Sequence, residues 1–314
     1  MRSIRWVAVA SGAALMAASC GGGDSAEPAD GARPSIVVTT SMLGDVVSSM
    51  VGDAAEVTTI MAPGASPHDF QASARQAQAM READLLVVNG ADFEEGLLDV
   101  IDAAADDGVA VYRATSAVDT LELGDEDGGS GVDPHFFTDP ARMAVAAQGI
   151  LDAVVEEVPA LDTEDVRATA DAYIRELEAL DAEVEGVLEV IPADDRILVT
   201  NHEVFGHFAD RYDFEVVGTV IPGGTTAESA SAEGLAELVR VIEGAGVPAI
   251  FADTSSPDQL ARTLANEVGD VEVVELYSES LGEAGSGAGT YLEMMRTNAK
   301  RIARALATSA TVSS

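Results

Sequence analysis

Residues 163–192 read TEDVRATADAYIRELEALDAEVEGVLEVIP, and apolar side chains fall at Val166, Ala170, Tyr173, Leu177, Leu180, Val184 and Val187. This +4/+3 stripe, lasting to about Val190, is one face of an amphipathic helix. Asp162 and Thr163 are cap candidates before it, and Pro192 ends it. The spacing predicts a single helix of roughly 28 residues, about 42 Å long at 1.5 Å per residue. A stripe of about three heptads is short for a coiled coil joining two chains. It also lies mid-chain between two stretches of a different character, so it reads as a strut joining two lobes.

Both flanking stretches alternate strand-like and helix-like segments. On the N-terminal side, SIVVTT (35–40), AEVTTIM (55–61), LLVVNG (85–90) and VAVYRA (109–114) are short and apolar or β-branched. Helical spacing separates them in SMLGDVVSSMVGD, 71–82 and 93–106, and a helix is predicted over 139–158. On the C-terminal side, strands are predicted at 197–201, 214–220, 248–253 and 271–277. Helices are predicted at 203–212, 231–244 and 257–268, with a last one from about Thr290 to Ala307. Alternation of this kind builds parallel sheets. The expected fold class is therefore α/β: two parallel-sheet lobes, 35–158 and 196–310, bridged by one long rigid helix over 162–191.

The chain opens with Met-Arg-Ser-Ile-Arg, an apolar run from Trp6 to Ala17, and small residues before Cys20. That is the layout of an export signal over 1–19, and its apolar run is too short for a permanent membrane span. Cys20 is the only cysteine among 314 residues, so an internal disulfide is impossible. Its position resembles the lipobox of bacterial lipoproteins, where this cysteine is diacylated; the plainer alternative is an ordinary cleaved signal with a stray thiol. The Gly/Ala/Pro/acidic run at 20–34 has the composition of a flexible tether. Lipidation and a tether together place the protein outside the cytoplasm, anchored to the membrane through Cys20.

Removing residues 1–19 leaves 295 residues, 47% of the whole chain is hydrophobic, and both figures indicate packed cores rather than disorder. Lys and Arg total 17 against 55 Asp and Glu, a net charge of −38. Such a field repels nucleic acid and anionic lipid heads and concentrates cations near the surface. Most of these carboxylates serve solubility.

The chain has four histidines, and three of them follow predicted strands. His68 lies in APGASPHDF after 55–61, His135 in DPHFFTDP after 109–114, and His202 directly after 197–201. Ligands of open α/β sheets bind beyond the carboxyl ends of the strands, where loops converge. Glu279, in SESLG after 271–277, occupies the same topological position. One histidine after a strand is ordinarily a solvated loop residue; three at equivalent strand ends, with a carboxylate, make a transition-metal set. The fourth, His207 in HEVFGH, is five residues from His202. The H-E-x-x-H spacing of a metalloprotease needs four, so His207 reads as a packed or exposed helix residue. GEAGSGAG at 282–289 lacks the Lys-Ser/Thr of a P-loop and the spacing of a dinucleotide fingerprint.

Taken in order, TTSMLGDVVSSMVGD, MAPGASPHDFQASARQAQAMREADLLVVNG, DPHFFTDP, NHEVFGHFADRY and LYSESLG…GTYLEMMRTNAKRI resemble the successive motifs of the zinc- and manganese-specific solute-binding lipoproteins that serve ABC importers. The likeness runs from about Ser35 to Ala307. It implies His68 and His135 from the first lobe and His202 and Glu279 from the second, meeting on one metal ion in the interlobe cleft. It also implies a membrane permease with a cytoplasmic ATPase as partners, and no bond chemistry. A monomer is expected.

Two features depart from the family pattern. The last ligand is commonly aspartate, one methylene shorter than Glu279. A histidine-rich loop of many zinc-specific members is replaced by DTLELGDEDGGSGVD (119–133), whose Glu122, Asp125, Glu126 and Asp127 hold cations weakly or are simply solvated.

Three imidazoles favour Zn2+ over Mn2+, which takes more oxygen ligands. Four protein ligands argue against catalysis, because catalytic zinc keeps an open position. A metal-dependent hydrolase, and an adhesin or metallochaperone on the same fold, are the alternative functions. Asp69, Asp133, Asp139 and Glu203 are candidates to hold the second ring N–H of a metal-bound histidine.

Overall fold

The computed structural model describes residues 33–123, 131–221 and 231–307. The proposed signal segment, lipid-bearing Cys20, most of the tether and loop residues Asp125, Glu126 and Asp127 lie outside the described residues. Glu122 is described, and it forms an isolated antiparallel bridge with Val132. Among the described residues, no helix is long and apolar enough to cross a membrane.

The first lobe runs β1 (Ser35–Val38), α1 (Ser41–Val51), β2 (Glu56–Thr59), α2 (Ala74–Arg81), β3 (Leu85–Val88), α3 (Leu98–Asp106), β4 (Ala110–Arg113) and α4 (Pro140–Glu157). After α5 (Glu164–Leu188), the second lobe runs β5 (Ile197–Thr200), α6 (Gly206–Tyr212), β6 (Glu215–Thr219), α7 (Ala232–Ala245), β7 (Ala249–Asp253), α8 (Gln259–Val268), β8 (Glu272–Leu276) and α9 (Tyr291–Ala307). Each lobe holds a four-stranded sheet, ordered β2-β1-β3-β4 and β6-β5-β7-β8, with every pairing parallel. The order reverses between β1 and β3, and again between β5 and β7. These are the switch points beyond which loops splay apart and leave a crevice.

The central strands β1, β3, β5 and β7 read as near-continuous apolar runs because both sheet faces are covered there, whereas the edge strands β2, β4, β6 and β8 carry exposed polar residues. Ile36 and Val38 of β1 face the central core while Val37 faces outward, as a period of two requires. Outside the first sheet, Val37, Leu86 and Val88 pack with Met80 of α2 and Ile101 of α3. Outside the second, Val199, Ile250 and Ala252 pack with Ile242 of α7 and Leu264 of α8. Between the sheets lies one continuous core built from the inner faces of both and from α1, α4, α5, α6 and α9. Gly44 lets α1 lie close on β2, since a Cβ there would fall 2.2 Å from Thr59 Oγ1.

The strut helix α5 spans 25 residues, about 38 Å, shorter than the 28 expected from the stripe. Thr163 caps it, its Oγ1 accepting the Val166 N–H at 3.2 Å. Its buried stripe is Val166, Ala170, Tyr173, Ile174, Leu177, Leu180, Val184 and Leu188. Leu188, one turn beyond Val184, joins Val187, which is half-buried against the same core, at the end of the stripe, and Val190 is exposed. The helix packs on α1 and α4 of the first lobe and α9 of the second. Two pairs tie its outer side to the second lobe: Arg211–Asp181 from α6, and Arg296–Glu183 from α9 at 2.6 Å.

Three helices, α2, α3 and α6, begin three or more residues later than their apolar spacing suggests. Ser73 caps α2 in a reciprocal box with Gln76. The segment before α3 turns through Ala91 and Asp92, both at positive φ, and buries Glu94. Residues 203–205 precede α6 as turn and coil.

Candidate metal centre

The four strand-end residues meet. His68 comes from the loop after β2, His135 from the segment between β4 and α4, His202 from the turn after β5, and Glu279 from the loop after β8. One ligand atom from each lies within 4.8 Å of the others, and all four residues are buried, at most 6% exposed. Glu279 Oε1 is the hub: it is 2.6 Å from His68 Nε2, 3.0 Å from His202 Nε2 and 3.6 Å from His135 Nε2. The last distance is too long for a hydrogen bond. His135 Nε2 and Glu279 Oε2 are buried with no hydrogen-bond partner, so the pocket holds more donor capacity than its own side chains use. A tetrahedral zinc with ligands at 2.0–2.2 Å has edges of about 3.3 Å, which the three oxygen–nitrogen distances bracket.

Local packing aims each side chain. Phe93 sets its ring edge-on to His68 at 5.7 Å and to His135 at 5.6 Å, and Phe137 flanks His135 at 5.8 Å. These rings exclude water and lower the local dielectric. Asp133 Oδ1 accepts the His135 backbone N–H at 2.9 Å and faces its Nδ1 at 2.7 Å. Glu95 Oε1 lies 2.9 Å from His68 Nδ1. In both histidines the carboxylate on Nδ1 leaves Nε2 directed at the centre. His202 Nδ1 is buried without a partner. Glu279 is fixed by its neighbours: Ser280 Oγ lies 3.1 Å from Ser41 Oγ of α1 and accepts the Gly64 N–H at 2.8 Å. Asp253, at the end of β7, accepts from Ser278 Oγ.

The charges follow from this packing. Burial alone would lower the His135 pKa, but Asp133 and Glu279 outweigh it and hold the imidazole up to about 9. His68 is raised too, burial being overcome chiefly by Glu279. Burial would raise Glu279, yet His202 and the other two imidazoles keep it well below the usual carboxylate range. Without metal, hydrogen bonds tie Glu279 Oε1 to the Nε2 atoms of His68 and His202; a divalent ion takes the place of the bridging protons.

Of the four candidates for holding a histidine N–H, Asp133 does so. Asp139 instead caps α4, accepting from the Ala141 N–H at 2.8 Å and pairing with Arg142 at 2.7 Å; Pro140 at the first helical position marks that role. Asp69 is exposed and Glu203 half-buried. Sequence reasoning missed Glu95, whose spacing of 27 residues from His68 carries no motif. His207 lies outside the four-residue cluster, fully buried on α6, with Nε2 at 3.2 Å from the Asp133 carbonyl.

Residues 36–305 match the family described as the periplasmic zinc-uptake complex component A. The manganese-binding lipoprotein MntA of Halalkalibacterium halodurans is 31% identical over 285 residues, 91% of this chain and 92% of the relative. The zinc-binding protein TroA of Treponema pallidum is 31% identical over 284 residues, 89% of this chain and 90% of the relative. The iron-binding protein YfeA of Yersinia pestis is 28% identical over 282 residues, 88% of each. The solved periplasmic zinc-binding TroA of Treponema pallidum superposes with a TM-score of 0.80 at 30% identity, covering 87% of this chain and 99% of that one. The chain belongs to this family of periplasmic metal-binding solute-binding proteins of ABC transporters, which are not enzymes.

Proposed function

We propose that this protein captures Zn2+ outside the cytoplasm and hands it to a membrane permease driven by a cytoplasmic ATPase. His68, His135 and His202, each through Nε2, and Glu279 through Oε1 are the metal ligands. The observation that carries this reading is the convergence of three buried imidazole nitrogens on one carboxylate oxygen. That donor set matches the imidazole preference of zinc, and with four protein ligands it is closed, as a carrier site is. The lobes 35–158 and 196–310 act as two domains held by α5, and Cys20, once lipidated, anchors the chain through the 20–34 tether. The relatives named as lipoproteins support that anchor. The protein works as a monomer.

One observation favours a second reading. Glu279 Oε2 is buried and unpartnered, so a carboxylate binding through both oxygens would raise the coordination number and suit Mn2+. Metal analysis of protein purified without chelator, followed by titration of each metal against the other, separates the two. The zinc reading expects one zinc per chain and displacement of manganese by equimolar zinc. Retention of manganese under those conditions would sink it.

A further inference from the structure

The His135 loop is gripped from both lobes. On the first-lobe side, Asn89 Nδ2 donates to the Pro134 carbonyl at 3.0 Å, and Glu94 fixes Asn89 by accepting its backbone N–H at 2.6 Å. On the second-lobe side, His207 Nε2–H donates to the Asp133 carbonyl at 3.2 Å. Adjacent Gly206 lets α6 come this near, since a Cβ there would fall 2.7 Å from Asp133 Oδ2. Asp133 in turn holds both the backbone N–H and Nδ1 of His135. Two consecutive carbonyls just before a metal ligand are thus tied to opposite lobes. His207 is fully buried, so neither solvent contact nor surface charge accounts for an imidazole there.

We propose that His207 is a positioning residue: its hydrogen bond from α6 to the Asp133 carbonyl aims the His135 imidazole at the metal, so that a first-lobe ligand is fully set only while the second lobe is docked. This rests on the metal-receptor reading above for its consequence, though not for the contact itself. His207 touches no metal in this scheme; it acts through Asp133. Loss of such an outer partner weakens metal binding by about 10- to 100-fold, and the longer route through a backbone carbonyl places His207 at the lower end, about tenfold.

The test compares His207→Phe, which fills the volume without a donor, with His207→Gln, which keeps one. Zinc affinity is read by chelator competition, the ligand field by the visible spectrum of the Co2+-loaded protein, and the His135 ring by its imidazole NMR signals in metal-free protein. The Phe variant is expected to lose about tenfold in zinc affinity, to alter the cobalt spectrum and to shift the His135 Nδ1 signal; the Gln variant restores all three. In a His135→Ala background, His207→Phe is expected to weaken zinc no further. Should the Phe variant fail to fold, His207→Met carries the same comparison. Wild-type affinity and spectra in the apolar variant would overturn the proposal, as would equal losses in the apolar and Gln variants. A wild-type chain that binds neither zinc nor cobalt would sink the receptor reading, while the His135 signal in metal-free protein would still report on the His207 contact.

Discussion

Glu279 Oε1 lies 2.6 Å from His68 Nε2, across 211 residues of chain and from one lobe to the other. His68 Nδ1 meets Glu95 on its far side at 2.9 Å. With a carboxylate oxygen at each ring nitrogen, His68 has its pKa raised, burial being outweighed chiefly by Glu279. A metal ion enters by displacing protons from this cluster.

Zinc affinity is therefore expected to fall with pH well above the ordinary histidine range. His135 titrates at about 9 in the metal-free site, so between pH 9 and 6.5 each unit of acidification weakens binding about tenfold through this residue alone. Chelator-competition titrations across that interval check the slope. Calorimetry in buffers of different ionisation heat counts the protons released, at least one per zinc near pH 7.

Metal-free stability is expected to run the opposite way. The folded His135 pKa lies above its unfolded value of 6.5. The stabilisation is therefore fully present below pH 6.5 and is lost as pH rises through about 9. Its full size is on the order of 3 kcal/mol. Ordinary carboxylates are ionised throughout this window, so changing self-repulsion does not mask the effect. Urea midpoints in chelator should be higher at pH 6.5 than at 9.5, and equal midpoints would contradict the His135–Asp133–Glu279 assignment.

Removing the carboxylates that aim the rings should weaken zinc in a definite order. Asp133 is buried, whereas the Glu95 side chain is 39% exposed and water can replace it. Asp133→Asn is expected to cost about 100-fold in affinity and Glu95→Gln about tenfold. The reverse order in competition titrations would mean that Glu95, rather than Asp133, fixes the site.

The continuous central core predicts unfolding as one unit. Leu177→Ala in α5 removes a fully buried side chain from between the sheets, and should cost about 2–5 kcal/mol. Calorimetry is expected to show one transition moved to lower temperature. Two separated transitions, one for each lobe, would contradict a shared core.

Much of this was legible in the residues because parallel strands buried on both faces are plain apolar runs. The eight described strands fall on short apolar or β-branched runs, less purely at edges such as EVTT of β2 and AVYR of β4, and three histidines and Glu279 follow four of them. Helix starts were less legible. The spacing over 93–106 is helical, but Ala91 and Asp92 turn at positive φ without a glycine at either position to mark it, and Glu94 folds inward to hold Asn89. That turn also presents Glu95 to His68, a tertiary contact with no local signature. The apolar spacing predicts a stripe lasting to about Val190, but α5 ends at Leu188 and Val190 turns to solvent, while Val187 stays half-buried against the core.

The central claim, that three imidazoles and one carboxylate share a single divalent ion, is tested most directly by X-ray absorption at the zinc edge of the loaded protein. The expected first shell is four nitrogen and oxygen atoms at about 2.0–2.1 Å, with outer-shell scattering from three imidazole rings. A shell dominated by oxygen, with one ring or none, would contradict it.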